Sequence, residues 1–270
     1  MTSTSPRETT ECGTQAPGAL LHYTEYARAA FDGALLAYAV PMLPALPRGD
    51  GHPVLILPRL HGTDISVTAL HTVLRGLGYR TYGWRLGRNI GPTSKAVHGM
   101  RTRLDYLTNR YEQPVSIIGW SLGGIYARRL ARRTPDAVRQ VITMASPIRL
   151  QRHDQSRANA LFHLYAHEHV EPLDTPLERG EGPLPVPATS IYSPLDGIVA
   201  WRTCLDEPSD RAENIAVLAS HMGIARHPAA LWAVADRLAQ PADSWAPFRP
   251  PSLLRMAYPT PAVPASEVQS

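Results

Sequence analysis

Three residues in this chain have side chains that together can make a nucleophile, and each directly follows a run of strand-forming residues. Ser121 lies in Gly119-Trp120-Ser121-Leu122-Gly123, Asp196 in Ser193-Pro194-Leu195-Asp196-Gly197 and His221 in Ala219-Ser220-His221-Met222-Gly223. A serine hydroxyl attacks poorly by itself. An imidazole that takes its proton and later returns it to a leaving group makes it effective, and a carboxylate fixes the imidazole tautomer and stabilises the cation. The glycines have a matching purpose. Gly119 and Gly123 flank a turn where strand and helix backbones approach too closely for Cβ atoms, and Gly124 widens that clearance. The Leu122 N–H, at the helix start, faces developing negative charge.

Such residues need a frame that brings strand ends together. Val115 to Ile118 is a β-branched run, and Leu122 onward carries helical spacing through Ala127, Leu130 and Ala131, so Ser121 falls at a strand-to-helix joint. The same alternation surrounds it. Strands are expected at Val54 to Leu57, Arg80 to Trp84, Val138 to Met144, Thr189 to Tyr192 and Ile215 to Leu218. Helices are expected from about Ser66 to Gly76, Thr93 to Tyr111 and Pro228 to Ala239. This pattern requires a parallel sheet covered by helices on both faces, with functional groups just outside the carboxyl ends of its strands.

The alternation breaks between Ser146 and Pro187, where one helical stretch from about Ser156 to His169 and a proline-rich passage read as a cap inserted over the sheet. The expected organisation is a disordered N-terminus over 1–18 and a helix and linker over 19–52. A sheet domain follows over 53–240 with its cap at 147–187, then a proline-rich tail over 241–270. The helix is expected to run from Leu20 to Val40 and to end at Pro41. The apolar stretch from Ala27 to Leu46 contains Arg28, Asp32, Gly33, Pro41 and Pro44, a poor membrane span, so ordinary packing is expected and a peripheral surface is the alternative.

Composition narrows the function classes. The 270 residues are 44% hydrophobic and 19% charged, enough to bury one substantial core. The net charge of +4 is almost wholly arginine, Lys95 being the single lysine, and only Arg128, Arg129, Arg132 and Arg133 cluster, on what is expected to be a solvated helix face. No aromatic-interleaved basic stripe accompanies the charge, so nucleic acid is not an expected partner. Cys12 and Cys204 are expected as free thiols, and a polar start carrying Glu8 and Glu11 lacks the form of a secretory signal, which places the expected location in the cytoplasm. His163 and His167 stand four apart without the H-E-x-x-H arrangement or an evident third ligand, so no metal is expected.

Ser, Asp, His is also the chain order of the α/β-hydrolase fold, and the chain resembles α/β-hydrolases of the serine esterase and lipase group. It is more narrowly similar to bacterial α/β-hydrolases that resemble triacylglycerol lipases. The likeness covers roughly residues 53–240. It is carried by Gly78-Tyr79-Arg80-Thr81-Tyr82-Gly83-Trp84, by Leu86-Gly87-Arg88-Asn89-Ile90-Gly91-Pro92, by Gly119 to Arg128 around the serine, and by Asp196-Gly197-Ile198-Val199. The resemblance implies Ser121 as nucleophile, Asp196 as acid and His221 as base. No cofactor is expected, and the apolar cap favours an uncharged, fairly hydrophobic small-molecule ester as substrate. Asp174 and Asp206 are the alternative acids, and His227, His167 and His169 the alternative bases.

One loop departs from that pattern. Where a glycine usually precedes the second oxyanion-hole amide, this chain has Pro58-Arg59-Leu60. The donors are expected to be the N–H groups of Leu60 and Leu122, while a shift of register would make Thr63, in His61-Gly62-Thr63, the donor. Arg59 must then send its side chain to solvent or across the mouth of the site. Arg59, Trp120, Ile125, Ile198 and Val199 are candidates for lining a substrate pocket. An ester hydrolase is the favoured reading. An acyltransferase or thioesterase on the same residues, and a non-catalytic binding protein that kept the fold, are the alternatives. Oligomeric state has no signal in the sequence.

Overall fold

The computed structural model describes residues 15–170, 181–207, 209–241 and 244–262, without the side chains of His153 and Leu253. Among them are the strands β1 (Pro53–Leu57), β2 (Arg80–Gly83), β3 (Val115–Trp120), β4 (Val138–Met144), β5 (Ala188–Tyr192) and β6 (Ala212–Ala216). All pair in parallel, in the order β2-β1-β3-β4-β5-β6. The helices are α1 (Ala19–Tyr23), α2 (Glu25–Ala39), α3 (Thr68–Gly76), α4 (Ser94–Tyr111), α5 (Leu122–Arg133), α6 (Asn159–Leu164) and α7 (Pro228–Ala239).

Period-two alternation sends each strand into two cores. Val54 and Ile56 of β1 with Ile118 and Trp120 of β3 join one apolar cluster with Leu70 and Leu74 of α3 and Val234 and Leu238 of α7. Leu55, Leu57 and Ile117 face the opposite side, against Leu104 and Leu107 of α4 and Ala127 and Leu130 of α5. Burial on both faces explains why β1 reads as an unbroken hydrophobic run and β3 as a nearly continuous one. The order turns back at β1: β2 lies on one side of it and β3 on the other. The connections leaving β1 and β3 therefore diverge, and a crevice opens at their carboxyl ends.

Several segments differ from expectation. The first helix is broken at Thr24, whose hydroxyl donates to the Leu20 carbonyl at 2.7 Å and so competes with the helical ladder. Pro41 and Pro44 do not end the helical path but convert it to a 3-10 turn over Val40–Ala45. The helix expected from Ser156 to His169 is reduced to α6 and a 3-10 turn at Ala166–Glu168. The last strand is Ala212–Ala216, three residues earlier than its apolar run begins.

The proline-rich tail is also partly built. Ser252–Ala257 forms a 3-10 turn, Phe248 and Tyr258 pack against the α3/α7 core, and the Tyr258 hydroxyl donates to the Ala229 carbonyl at 2.9 Å. Disorder expected over 1–18 falls almost entirely outside the described residues, as do Cys12 and Asp174. Cys204 is a buried free thiol.

Arg128 corrects the reading of a solvated arginine face. It is 2% exposed and pairs with Asp206, Nη1 to Oδ2 at 2.5 Å and Nη2 to Oδ1 at 3.0 Å. Among the described residues no helix is long and apolar enough to cross a membrane. The face that α2 buries is unusual for a surface helix, because it carries Glu25 and Asp32 while Tyr26, Phe31 and Tyr38 point outward.

Candidate active site

β3 delivers Ser121 through a sharp turn. The serine follows Trp120 directly, holds φ at 53° and ψ at −119°, and is followed at once by α5. For a residue with a Cβ this backbone is strained, by about 1–3 kcal/mol, and it persists because the surroundings fix it. The Ser121 N–H donates to the Met144 carbonyl at 2.8 Å, which ties the turn to β4. A Cβ on Gly119 would collide with the backbone of Gly123 and Gly124, and one on Gly123 with the Leu57 carbonyl, so the strand and helix close on each other at these positions.

The other two residues come from the ends of β5 and β6. His221 Nε2 lies 3.1 Å from Ser121 Oγ, and His221 Nδ1 lies 2.6 Å from Asp196 Oδ2. The carboxylate's second oxygen accepts the N–H groups of Ile198 and Val199, each at 2.8 Å. At 1% exposure Asp196 thus has its charge met by three hydrogen bonds. It also makes Nδ1 the protonated nitrogen of His221, leaving Nε2 to accept from the serine. Ser193 joins the two loops at their roots: its hydroxyl donates to the Ala219 carbonyl at 2.5 Å and accepts the Leu195 and Ala219 N–H groups at 3.1 and 3.2 Å.

The sheet register sets the positions of Leu60 and Leu122 relative to the serine turn. Leu57 of β1 stands level with Gly119 of β3, and Leu60 and Leu122 each lie three residues beyond that pair. Both border the cavity at Ser121. Leu122 begins α5, so its N–H has no intrahelical acceptor. In the loop after β1 the amides of His61 and Gly62 are engaged, with the Asn89 carbonyl at 2.6 Å and the Arg59 carbonyl at 2.8 Å, while Thr63 does not border the cavity. The loop geometry therefore favours Leu60 over the shifted register.

Arg59 sends its side chain neither outward nor across the mouth. Its guanidinium lies over the Trp120 ring, 5.2 Å from the centroid, and donates to the Leu60 carbonyl at 2.8 Å. Burial, with Arg226 nearby, holds its pKa below the ordinary arginine value. Arg59 is not among the residues with positive φ; His61, at 58°, is the residue of this loop that takes up the turn. A glycine is therefore not required at position 59.

The cavity measures about 70 Å³ and is largely apolar. Ile125 and Val199 line it, together with Pro147, Leu150 and Phe162 from the connection between β4 and β5. Trp120 does not line it. Its ring packs in the α3/α7 core, and its Nε1–H donates to the His221 carbonyl at 3.1 Å, a supporting contact that sequence reasoning missed. Ile198 packs beside Tyr192 and Cys204, and Arg59 is likewise outside the cavity lining.

Asp174 lies outside the described residues, and the other rivals are elsewhere. Asp206 is committed to Arg128. His167 is exposed, His169 Nε2 lies 2.9 Å from the Ile90 carbonyl, and His227 is buried, which lowers its pKa. His163 is exposed, and among the described residues no group of three metal-ligating side chains converges.

A second Ser-His-Asp chain shows what the first has in addition. At the opposite end of the sheet, His52 lies 2.8 Å from Ser116 Oγ through Nε2 and 2.5 Å from Asp50 Oδ1 through Nδ1. Ser116 is fully buried within β3 and borders neither described pocket, so this set ties the base of the sheet together. The Ser121 set differs in its strained turn and its adjacent cavity.

No family model and no curated protein sequence matches this chain. Solved structures do. Lipase B of Aspergillus fumigatus superposes with a TM-score of 0.56 at 15% identity, over 70% of this chain and 53% of that one, so the match spans about half of the lipase. An esterase of Exiguobacterium antarcticum gives 0.52 at 14% identity over 71% and 93% of the two chains. A protein described as a putative aryl esterase from Burkholderia cenocepacia gives 0.50 at 14% over 72% and 93%. At these identities the likeness concerns architecture, and the chain has the α/β-hydrolase fold.

Proposed function

We propose that this protein is a serine hydrolase that cleaves carboxylic esters through an acyl-enzyme on Ser121. The observation that carries the reading is the hydrogen-bonded series Asp196, His221, Ser121, ending on a strained serine at the floor of an apolar cavity.

In the first half-reaction His221 Nε2 accepts the Ser121 proton as Oγ attacks the ester carbonyl carbon. The carbonyl oxygen becomes an oxyanion, held by the N–H groups of Leu60 and Leu122. The imidazolium, stabilised by Asp196, then donates its proton to the departing alkoxide as the carbon–oxygen bond breaks. An alcohol leaves and the acyl group remains on Oγ. Water repeats the sequence, giving its proton to His221 and releasing a carboxylic acid and the free serine. The largely apolar lining favours an uncharged acyl group. The structures of esterases and lipases on the same fold agree with this class of reaction.

The reading is tested by turnover of 4-nitrophenyl butyrate. Ser121→Ala is expected to lower kcat by about 10⁴- to 10⁶-fold, and His221→Ala by a similar factor, because residues that act as a unit fail together. Equal turnover by wild type and Ser121→Ala would overturn it.

A further inference from the structure

Glu25 and Asp32 are 0% and 3% exposed on a helix that otherwise lies at the surface. They stand seven residues apart, about two helical turns, so they share one face of α2. That face is applied to the loops that carry Asp196 and His221. Glu25 Oε1 accepts the Met222 N–H at 2.7 Å, and Oε2 accepts the Gly197 N–H at 3.1 Å. Asp32 Oδ2 accepts the Ser220 N–H at 2.9 Å and the Ser220 hydroxyl at 2.5 Å. All three amides are immediate chain neighbours of Asp196 or His221.

The fit is close on both sides. A Cβ on Gly197 would collide with the Leu21 carbonyl and crowd Glu25, and one on Gly223 would collide with Asp32. Arg28 completes the contact, with Nη2 donating to Glu25 Oε2 at 2.7 Å and Nη1 to the Leu195 carbonyl at 2.6 Å. Where Ser193 joins the two loops at their roots, α2 joins them at their tips.

We infer that α2 is a positioning element for the Asp196–His221 pair. Glu25 bridges the two loops and Asp32 fixes the second. Neither carboxylate borders the cavity, so both act through the backbone beside other residues. The inference rests on the reading of Ser121, His221 and Asp196 as the catalytic set. Its physical basis is that charge-assisted hydrogen bonds in a buried setting hold geometry tightly, and a displacement of about 1 Å at such a set lowers turnover by about 10²-fold.

The two carboxylates differ in a way that separates positioning from mere packing. Glu25 uses both oxygens on N–H donors, so in Glu25→Gln an amide NH₂ must face one of them in either orientation. Asp32 uses one oxygen for both contacts, so the amide oxygen of Asp32→Asn can replace it. The test measures kcat and KM for 4-nitrophenyl butyrate together with the downfield proton signal of His221 Nδ1–H by NMR, on the full chain. Glu25→Ala, Asp32→Ala and Glu25→Gln are expected to lower kcat by about 10²-fold with KM within about threefold, and to broaden or lose the proton signal. Asp32→Asn is expected to retain both.

Folded alanine variants with wild-type kcat and an intact signal would overturn the inference. If they do not fold, the comparison rests on Glu25→Gln and Asp32→Asn, and equal behaviour of these two would overturn it. Absence of turnover in the wild type would count against the proposed function alone, since the proton signal still reports on the positioning.

Discussion

Ser121 occupies a backbone conformation that its neighbours must enforce, and the enforcement is visible at Gly119. The first turn of α5 leaves no space for a methyl group there, and the obstructing atoms are backbone, which cannot rotate away. Gly119→Ala is therefore expected to destabilise the fold by about 3 kcal/mol or more, read as a lowered urea midpoint, with labelling of Ser121 lost in whatever remains folded. Arg59 makes a different kind of contribution. Its guanidinium holds the Leu60 carbonyl and covers Trp120, whose indole in turn holds the His221 carbonyl. Arg59→Ala removes a charged hydrogen bond and a cation–π contact, together about 1–2 kcal/mol of loop order, and kcat is expected to fall about tenfold. An unchanged kcat would show that the loop after β1 stands without Arg59.

At the scale of elements, the serine helix is anchored by a buried charge. Arg128 of α5 reaches Asp206 in the connection between β5 and β6, and Asp206 also exchanges hydrogen bonds with Asn214 of β6, at 2.8 Å in each direction. Removing one partner leaves the other buried and uncompensated, so Arg128→Ala and Asp206→Ala are each expected to lose about 3–5 kcal/mol in chemical denaturation. The double variant should lose less than the sum of the two. This pair was not legible in the sequence, because Arg128 reads as one of four clustered arginines and its partner lies far along the chain.

What was legible shares a cause. The central strands, α7 and the serine turn follow from hydrophobic runs and turn glycines, local signals that the burial of both sheet faces makes strong. The order Ser121, Asp196, His221 could be read because each follows such a run. Boundaries set by a single contact, such as the break at Thr24, could not. Trp120 and Ile198 are pocket candidates by apolarity, which does not distinguish a pocket wall from a core; the register of β3 and the packing beside Tyr192 turn them toward cores. The burial of Glu25 and Asp32 was not legible, because three of their donors are backbone amides, which carry no residue type to recognise.

On the scale of the whole molecule, three histidines are buried where charging them is unfavourable. Burial lowers the pKa of His52, His71 and His227, with Arg139 acting in the same direction on His52 and Arg75 on His71. Below about 6.5 the unfolded chain binds protons at these positions that the folded chain resists, so stability falls as pH falls through that value toward their folded pKa values. Asp50 does not offset this. Burial works to raise its pKa, but hydrogen bonds from His52 and the charges of His52 and Arg139 hold it at about 2, so its contribution is already complete above about pH 4. The urea midpoint is expected to be lower at pH 5.5 than at pH 7.5, and a midpoint that rises on acidification would contradict the account.

The central claim, that the Asp196–His221–Ser121 series activates one particular serine, is tested most directly by a fluorophosphonate probe with the adduct located by peptide mass spectrometry. The account predicts a single adduct on Ser121, absent in Ser121→Ala, and none on Ser116 despite its own histidine and aspartate. A folded wild-type chain that carries no adduct, or carries it on another residue, would contradict it.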